Sequence, residues 1–134
     1  MCVYLQHYMN ILKYIALPGL AVLLGSCGEP SSKDRFEKAC SIKIPAQHEV
    51  IKDHWVDAGT EHGIRYDLQL TPESINELTN SIRNSGCYSP VAVQRNNTWV
   101  QKDRGYSFYL AKDGIFYRAE VDTITRIIRF HEAG

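Results

Sequence analysis

Between Ile64 and Ile82 the hydrophobic period of this chain changes at a single point, and that change fixes what kind of domain can form. Ile64, Tyr66, Leu68 and Leu70 alternate with Arg65, Asp67 and Gln69, the period of two that gives a strand one apolar face and one face in water. Thr71-Pro72-Glu73 follows at once. Thr suits the N-cap, Pro suits the first helical position, and an acid is favoured near the positive helix end. Ile75, Leu78 and Ile82 then fall at i, i+3 and i+7, and Asn84-Ser85-Gly86 supplies the stop. A strand leading directly into an amphipathic helix buries both apolar surfaces if the helix folds back on the sheet, and Leu78 should be the most buried position of that helix.

The flanking segments read as further strands. Phe36 to Cys40 suggests a short helical turn and Ser41 to Pro45 an extended stretch, because proline restricts the residue before it. A first strand is expected from Gln47 to Val56, with Gly59 and Gly63 bracketing a turn. After the helix, Val91-Ala92-Val93 reads as a short strand. Thr98–Lys102, Tyr106–Ala111, Ile115–Val121 and Ile124–Phe130 are separated by turn residues, Asp113-Gly114 being the clearest hairpin signal. Tyr106, Phe108 and Leu110 share a face, as do Ile115, Tyr117, Ala119 and Val121. The expected fold is therefore α+β: two strands, one helix, then a four-strand antiparallel meander, with the helix packed on one face of the sheet.

Upstream, an apolar run from Tyr14 to Gly25 follows Lys13 and ends in Leu24-Gly25-Ser26-Cys27. A secretory signal needs a basic flank, an apolar core of about 7 to 15 residues and small residues before the cut, and this segment supplies all three. It is short for a membrane span, which takes about 20 apolar residues, and Pro18-Gly19 weakens a continuous helix. Met9 sits better before Lys13 than Met1 does, so translation is expected to start there. Leu24-Gly25-Ser26-Cys27 resembles the lipobox of bacterial lipoproteins. The resemblance covers the first 27 residues and implies cleavage before Cys27, a diacylglyceride on its sulfur and usually an acyl chain on its amine. Two or more acyl chains make a stable anchor. It further implies a periplasmic domain tethered to the cell envelope, and Gly28 after the cysteine points to the outer rather than the inner membrane.

On this reading residues 1–26 are a signal peptide, 27–35 the lipidated cysteine with a flexible polar spacer, and 36–134 one domain, since the chain is too short for two cores. The full chain balances 15 basic against 15 acidic side chains. Loss of Lys13 with the signal leaves the mature protein with one excess negative charge. Charges are interspersed, without the basic face that nucleic acid requires. With Cys27 lipidated, Cys40 and Cys87 are left as a pair in an oxidising compartment, and a disulfide between them is expected.

Candidate chemistry is sparse. His48, His54 and His62, with Asp53, Asp57 and Glu61 nearby, form the one cluster that could bind a metal, and His48 and His54 have the parity to share a strand face. Their spacing matches no common zinc pattern, and no cofactor is expected. GxSxG, HExxH, P-loop and dinucleotide fingerprints are absent from the sequence. If one side of the meander is uncovered, Trp99 or Tyr109 with Phe116 and Arg118 would make an aromatic and arginine patch of the composition favoured at protein interfaces. The leading expectation is a non-catalytic, membrane-anchored module that binds an envelope or incoming protein, as an inhibitor, immunity factor or accessory of an envelope complex. A ligand- or metal-binding lipoprotein is the second reading, and a cell-wall enzyme the third.

Overall fold

The computed structural model describes residues 28–134. Cys27, the Tyr14–Gly25 run and the signal-peptide reading lie outside the described residues. Ser31–Gly134 forms one compact unit of two helices and a seven-stranded sheet, an α+β arrangement.

Helix α1 (Ser32–Cys40) is longer than expected, because Ser31 and Asp34 make a capping box: the Ser31 hydroxyl accepts from the Asp34 backbone N–H, and the Asp34 carboxylate accepts in turn from the Ser31 backbone N–H. Residues assigned to a flexible spacer are therefore helical. Strands β1 (His48–Ala58) and β2 (Glu61–Leu70) form a hairpin through Gly59, whose φ of 65° suits glycine. Gly63 is not a turn residue but lies inside β2, where a β-carbon would sit 1.7 Å from the Glu132 carbonyl oxygen. Helix α2 (Pro72–Asn84) starts and stops as its caps predict, with the Thr71 hydroxyl accepting from Ser74 N–H and Leu78 fully buried.

Val91–Val93 is an exposed bend rather than a strand. In its place β3 (Tyr88–Ser89) pairs parallel with β4 (Thr98–Lys102), which opens an antiparallel meander of β5 (Gly105–Lys112), β6 (Ile115–Asp122) and β7 (Ile127–Ala133). Strand β7 starts later than expected because the Asp122 carboxylate accepts from the backbone N–H groups of Ile124 and Thr125, folding those residues into a turn. The sheet order is β1-β2-β7-β6-β5-β4-β3, so the last strand of the meander closes against β2 of the first hairpin.

Both helices pack on one face. Cross-strand rows there read Tyr66, Phe130, Ala119, Phe108, Trp99 and Leu68, Ile128, Val121, Tyr106. Phe36 of α1 meets Phe130 edge-on at 5.3 Å, and Ile75, Leu78 and Ile82 of α2 join the same core. Glu132 is buried in this face, held by Arg35 of α1 at 2.8 Å. Hydrophobic burial on this side leaves the opposite face of β1, β2, β7, β6 and β5 to be defined by its polar residues.

Candidate functional site

Three of the four residues of the expected interaction patch are brought together on the helix-free face, and the fourth is not. Trp99 is 0% exposed. It pairs with Phe108 on the helix side, and its ring N–H donates to the Cys40 carbonyl at 3.0 Å. Tyr109, Phe116 and Arg118 point the other way. Tyr109 and Phe116 stack with ring centroids 6.4 Å apart, and Phe116 is 52% exposed. Arg118 lies directly opposite Tyr109 in the β5–β6 ladder and is exposed.

The register extends this cluster across the sheet. Arg118 lies opposite His131, His131 opposite Arg65, and Arg65 opposite His54. One row thus carries His54, Arg65, His131, Arg118 and Tyr109 on five consecutive strands, with no carboxylate among them. The neighbouring row on the same face reads Lys52, Asp67, Arg129 and Glu120, in strict alternation of sign, and ends at the uncharged Ser107. Opposite charges facing each other across strands attract, whereas like charges in that position are destabilising. Among the described residues no ion pair forms in either row; what distinguishes the first is that the residues cross-strand from Arg65 and Arg118 include no carboxylate. Partial burial depresses the His131 pKa first of all, the Arg65 and Arg118 guanidiniums push it the same way, and Glu61 opposes them. Two guanidiniums, Arg65 and Arg118, thus flank the half-buried His131 on this face and disfavour its charged form.

The sequence gives no period that would show Arg65 and His131 meeting Arg118, because β2 ends at Leu70, β7 begins only at Ile127, and the two pair only in the folded sheet. Arg118 alone was legible, through its place beside the two aromatic residues.

The histidine cluster is not assembled. A register irregularity between Val50 and Lys52 shifts β1 by one residue, which carries His48 to the helix side and His54 to the other, overturning their expected common face. His62 is engaged by Asp57 at 2.8 Å. Among the described residues no group of three His, Cys, Asp or Glu side chains is placed to hold a metal ion. The expected Cys40–Cys87 bridge is also not formed: both are free thiols, Cys40 buried at the end of α1 and Cys87 half-buried before β3. Trp99 lies between their backbones, its ring N–H bonded to the Cys40 carbonyl and its backbone N–H to the Cys87 carbonyl.

A cleft of about 440 Å³ lies between α2 and the β4–β5 turn, lined by Asn76, Asn80, Arg83, Gln101 and Asp103 among others. Arg83 is committed there, its Nε–H donating to the Tyr106 hydroxyl at 2.7 Å. Small-molecule sites are mainly apolar with a few convergent polar groups, which this open polar cleft does not resemble. Among the described residues no helix is long and apolar enough to cross a membrane. No known family, no curated protein and no solved structure matches the chain.

Proposed function

We propose that this chain is a lipid-anchored module of the bacterial envelope that binds an acidic partner protein through the helix-free face of its sheet, without catalysing a reaction. The observation that carries the reading is the row His54, Arg65, His131, Arg118 and Tyr109, bordered by exposed Phe116. Unpaired guanidiniums beside aromatic rings are the side chains that most often dominate binding energy at protein interfaces, and their shared sign selects an acidic partner and speeds its approach. Anchoring is supported by Lys13, the apolar run and Leu24-Gly25-Ser26-Cys27. The acylated Cys27 would hold the domain at the envelope surface.

Capture from envelope extracts at low salt, with the detergent-solubilised full chain as bait, tests the binding face. A partner should be retained by the wild-type chain and by Lys112→Ala, and lost on Arg65→Glu/Arg118→Glu and on Phe116→Ala. Recovery indifferent to the arginine reversal would remove the reading. Intact-mass analysis of the same sample should show a chain beginning at Cys27 and carrying a diacylglyceride, and an uncut, unacylated chain would remove the anchor.

A further inference from the structure

The sheet ends differently on its two sides. Strand β3 is only Tyr88–Ser89 and runs straight into Pro90, which has no N–H to offer another strand. Strand β1 spans His48–Ala58, pairs on one side only, and exposes Val50 at 49%, Ile51 at 52% and Trp55 at 57%. A long open edge carrying apolar side chains is a template for another strand.

The charge order on that edge selects the strand. Ile51 is the extra residue at the register shift, so the paired positions run His48, Glu49, Val50, Lys52, Asp53. Reversed about Val50, each basic group meets an acid. An antiparallel pairing about a two-fold axis at Val50 would set Val50 against its own copy, Glu49 against Lys52 of the second copy, and His48 against Asp53 of the second copy. It also keeps faces in step, since Glu49 and Lys52 lie on the helix-free side opposite Gln69 and Asp67, while His48, Val50 and Asp53 lie on the helix side opposite Leu70, Leu68 and Tyr66. A continuous antiparallel sheet demands that match. Asp53 is already oriented, one oxygen accepting from the Ser32 hydroxyl at 2.6 Å. The Pro45 carbonyl only accepts, so His48 donates to it through Nδ1 at 2.7 Å, and in the imidazolium form its Nε2–H would donate to the partner carboxylate. A lysine and a bulge on an edge normally discourage strand addition. Here the same residues would reject foreign strands and admit a second copy.

We propose that β1 pairs with β1 of a second copy, joining two domains into one two-fold sheet. The proposal stands on the edge alone and is independent of the partner binding proposed above. Opposed Cα atoms in antiparallel strands are about 4.5 to 5.5 Å apart, within the range of about 4.4 to 6.8 Å that a disulfide bridges, so a cysteine at the axis reports the contact directly. The full chain carrying Val50→Cys is oxidised in the membranes of the expressing cells and analysed without reductant. A dimer is expected for Val50→Cys and not for the wild-type chain or for Lys112→Cys, which lies at the end of β5 in the β5–β6 hairpin. Adding Lys52→Glu places two like-charged pairs in each dimer and should lower the cross-linked fraction about tenfold. Further addition of Glu49→Lys restores opposite signs and should recover it. No dimer at Val50→Cys, an equal dimer at Lys112→Cys, or a dimer indifferent to charge reversal and restoration would each overturn the proposal.

Discussion

Trp99 ties together parts of the chain that are far apart in sequence. Its ring N–H donates to the Cys40 carbonyl at the end of α1, its backbone N–H donates to the Cys87 carbonyl at 2.7 Å, and its ring packs on Phe108 at 5.2 Å. Both cysteine carbonyls are consequently held by one residue, yet their thiols differ. Burial raises the Cys40 thiol pKa well above its ordinary value, and the thiolate is the reactive species. Cys87 is half-buried, with its sulfur 4.0 Å from the Asn97 amide oxygen. A charged maleimide applied to the native, unreduced chain, followed by peptide mapping, should modify Cys87 and leave Cys40 untouched until denaturant is added. Protection of both that is relieved only by a reductant would instead reveal a Cys40–Cys87 disulfide. Trp99 stood beside Tyr109 as an alternative for the exposed patch because parity cannot decide β4: Trp99 and the adjacent Val100 are both buried, and a strand buried on both sides carries no alternation to read.

Among the elements, α1 contributes more than its short apolar stretch suggests. It buries Phe36, Ala39 and Cys40, reaches β7 through the Arg35–Glu132 pair, and reaches β1 through Ser32. Its start depends on the Ser31 and Asp34 capping box, and removal of such a cap costs about 0.5 to 2 kcal/mol. Ser31→Ala should therefore lower the denaturant midpoint with little change in slope, while Lys33→Ala, an exposed position in the same turn, should leave it in place. Equal effects of the two substitutions would show that the cap does not hold this helix. Legibility follows the same logic of local against distant signals. Helix α2 was readable end to end because its caps and stripe lie within its own residues, and β4 kept its predicted bounds because turns flank it. The start of α1 was missed since Ser31-Ser32-Lys33-Asp34 has the composition of a linker as well as of a capping box. The shift at Ile51 was missed because nothing in HEVIKDHWVDA marks which residue is extra. That one residue decides the fate of the histidine cluster.

At the scale of the whole molecule, the sheet buries its core on one face and offers the other to the proposed partner, and pH should act on stability and on that proposed binding in opposite directions. On the helix-free face, partial burial and the flanking Arg65 and Arg118 hold the His131 pKa below its ordinary value, with Glu61 acting the other way. A depressed basic pKa means that the unfolded chain binds a proton at a pH where the folded chain does not, so stability falls as pH drops below about 6.5, the ordinary histidine value, and levels off once the folded state is also protonated. Asp122 acts in a lower window. Backbone hydrogen bonds from Thr125 and then Ile124, aided by Arg104, hold its carboxyl below the usual range. Its contribution is present above the ordinary carboxylate pKa and is lost as pH falls through the depressed value. Melting temperature should therefore decline between pH 7.5 and 5.0 in the wild-type chain and decline less in His131→Gln, the two converging on a common acid loss at lower pH. Over the same interval His131 gains charge between two guanidiniums, so retention of an acidic partner should rise in the wild-type chain by more than in His131→Gln. A melting profile identical in the two proteins would show that His131 is not strained by its neighbours. The placing of His131 between Arg65 and Arg118 would then carry no electrostatic cost to the fold.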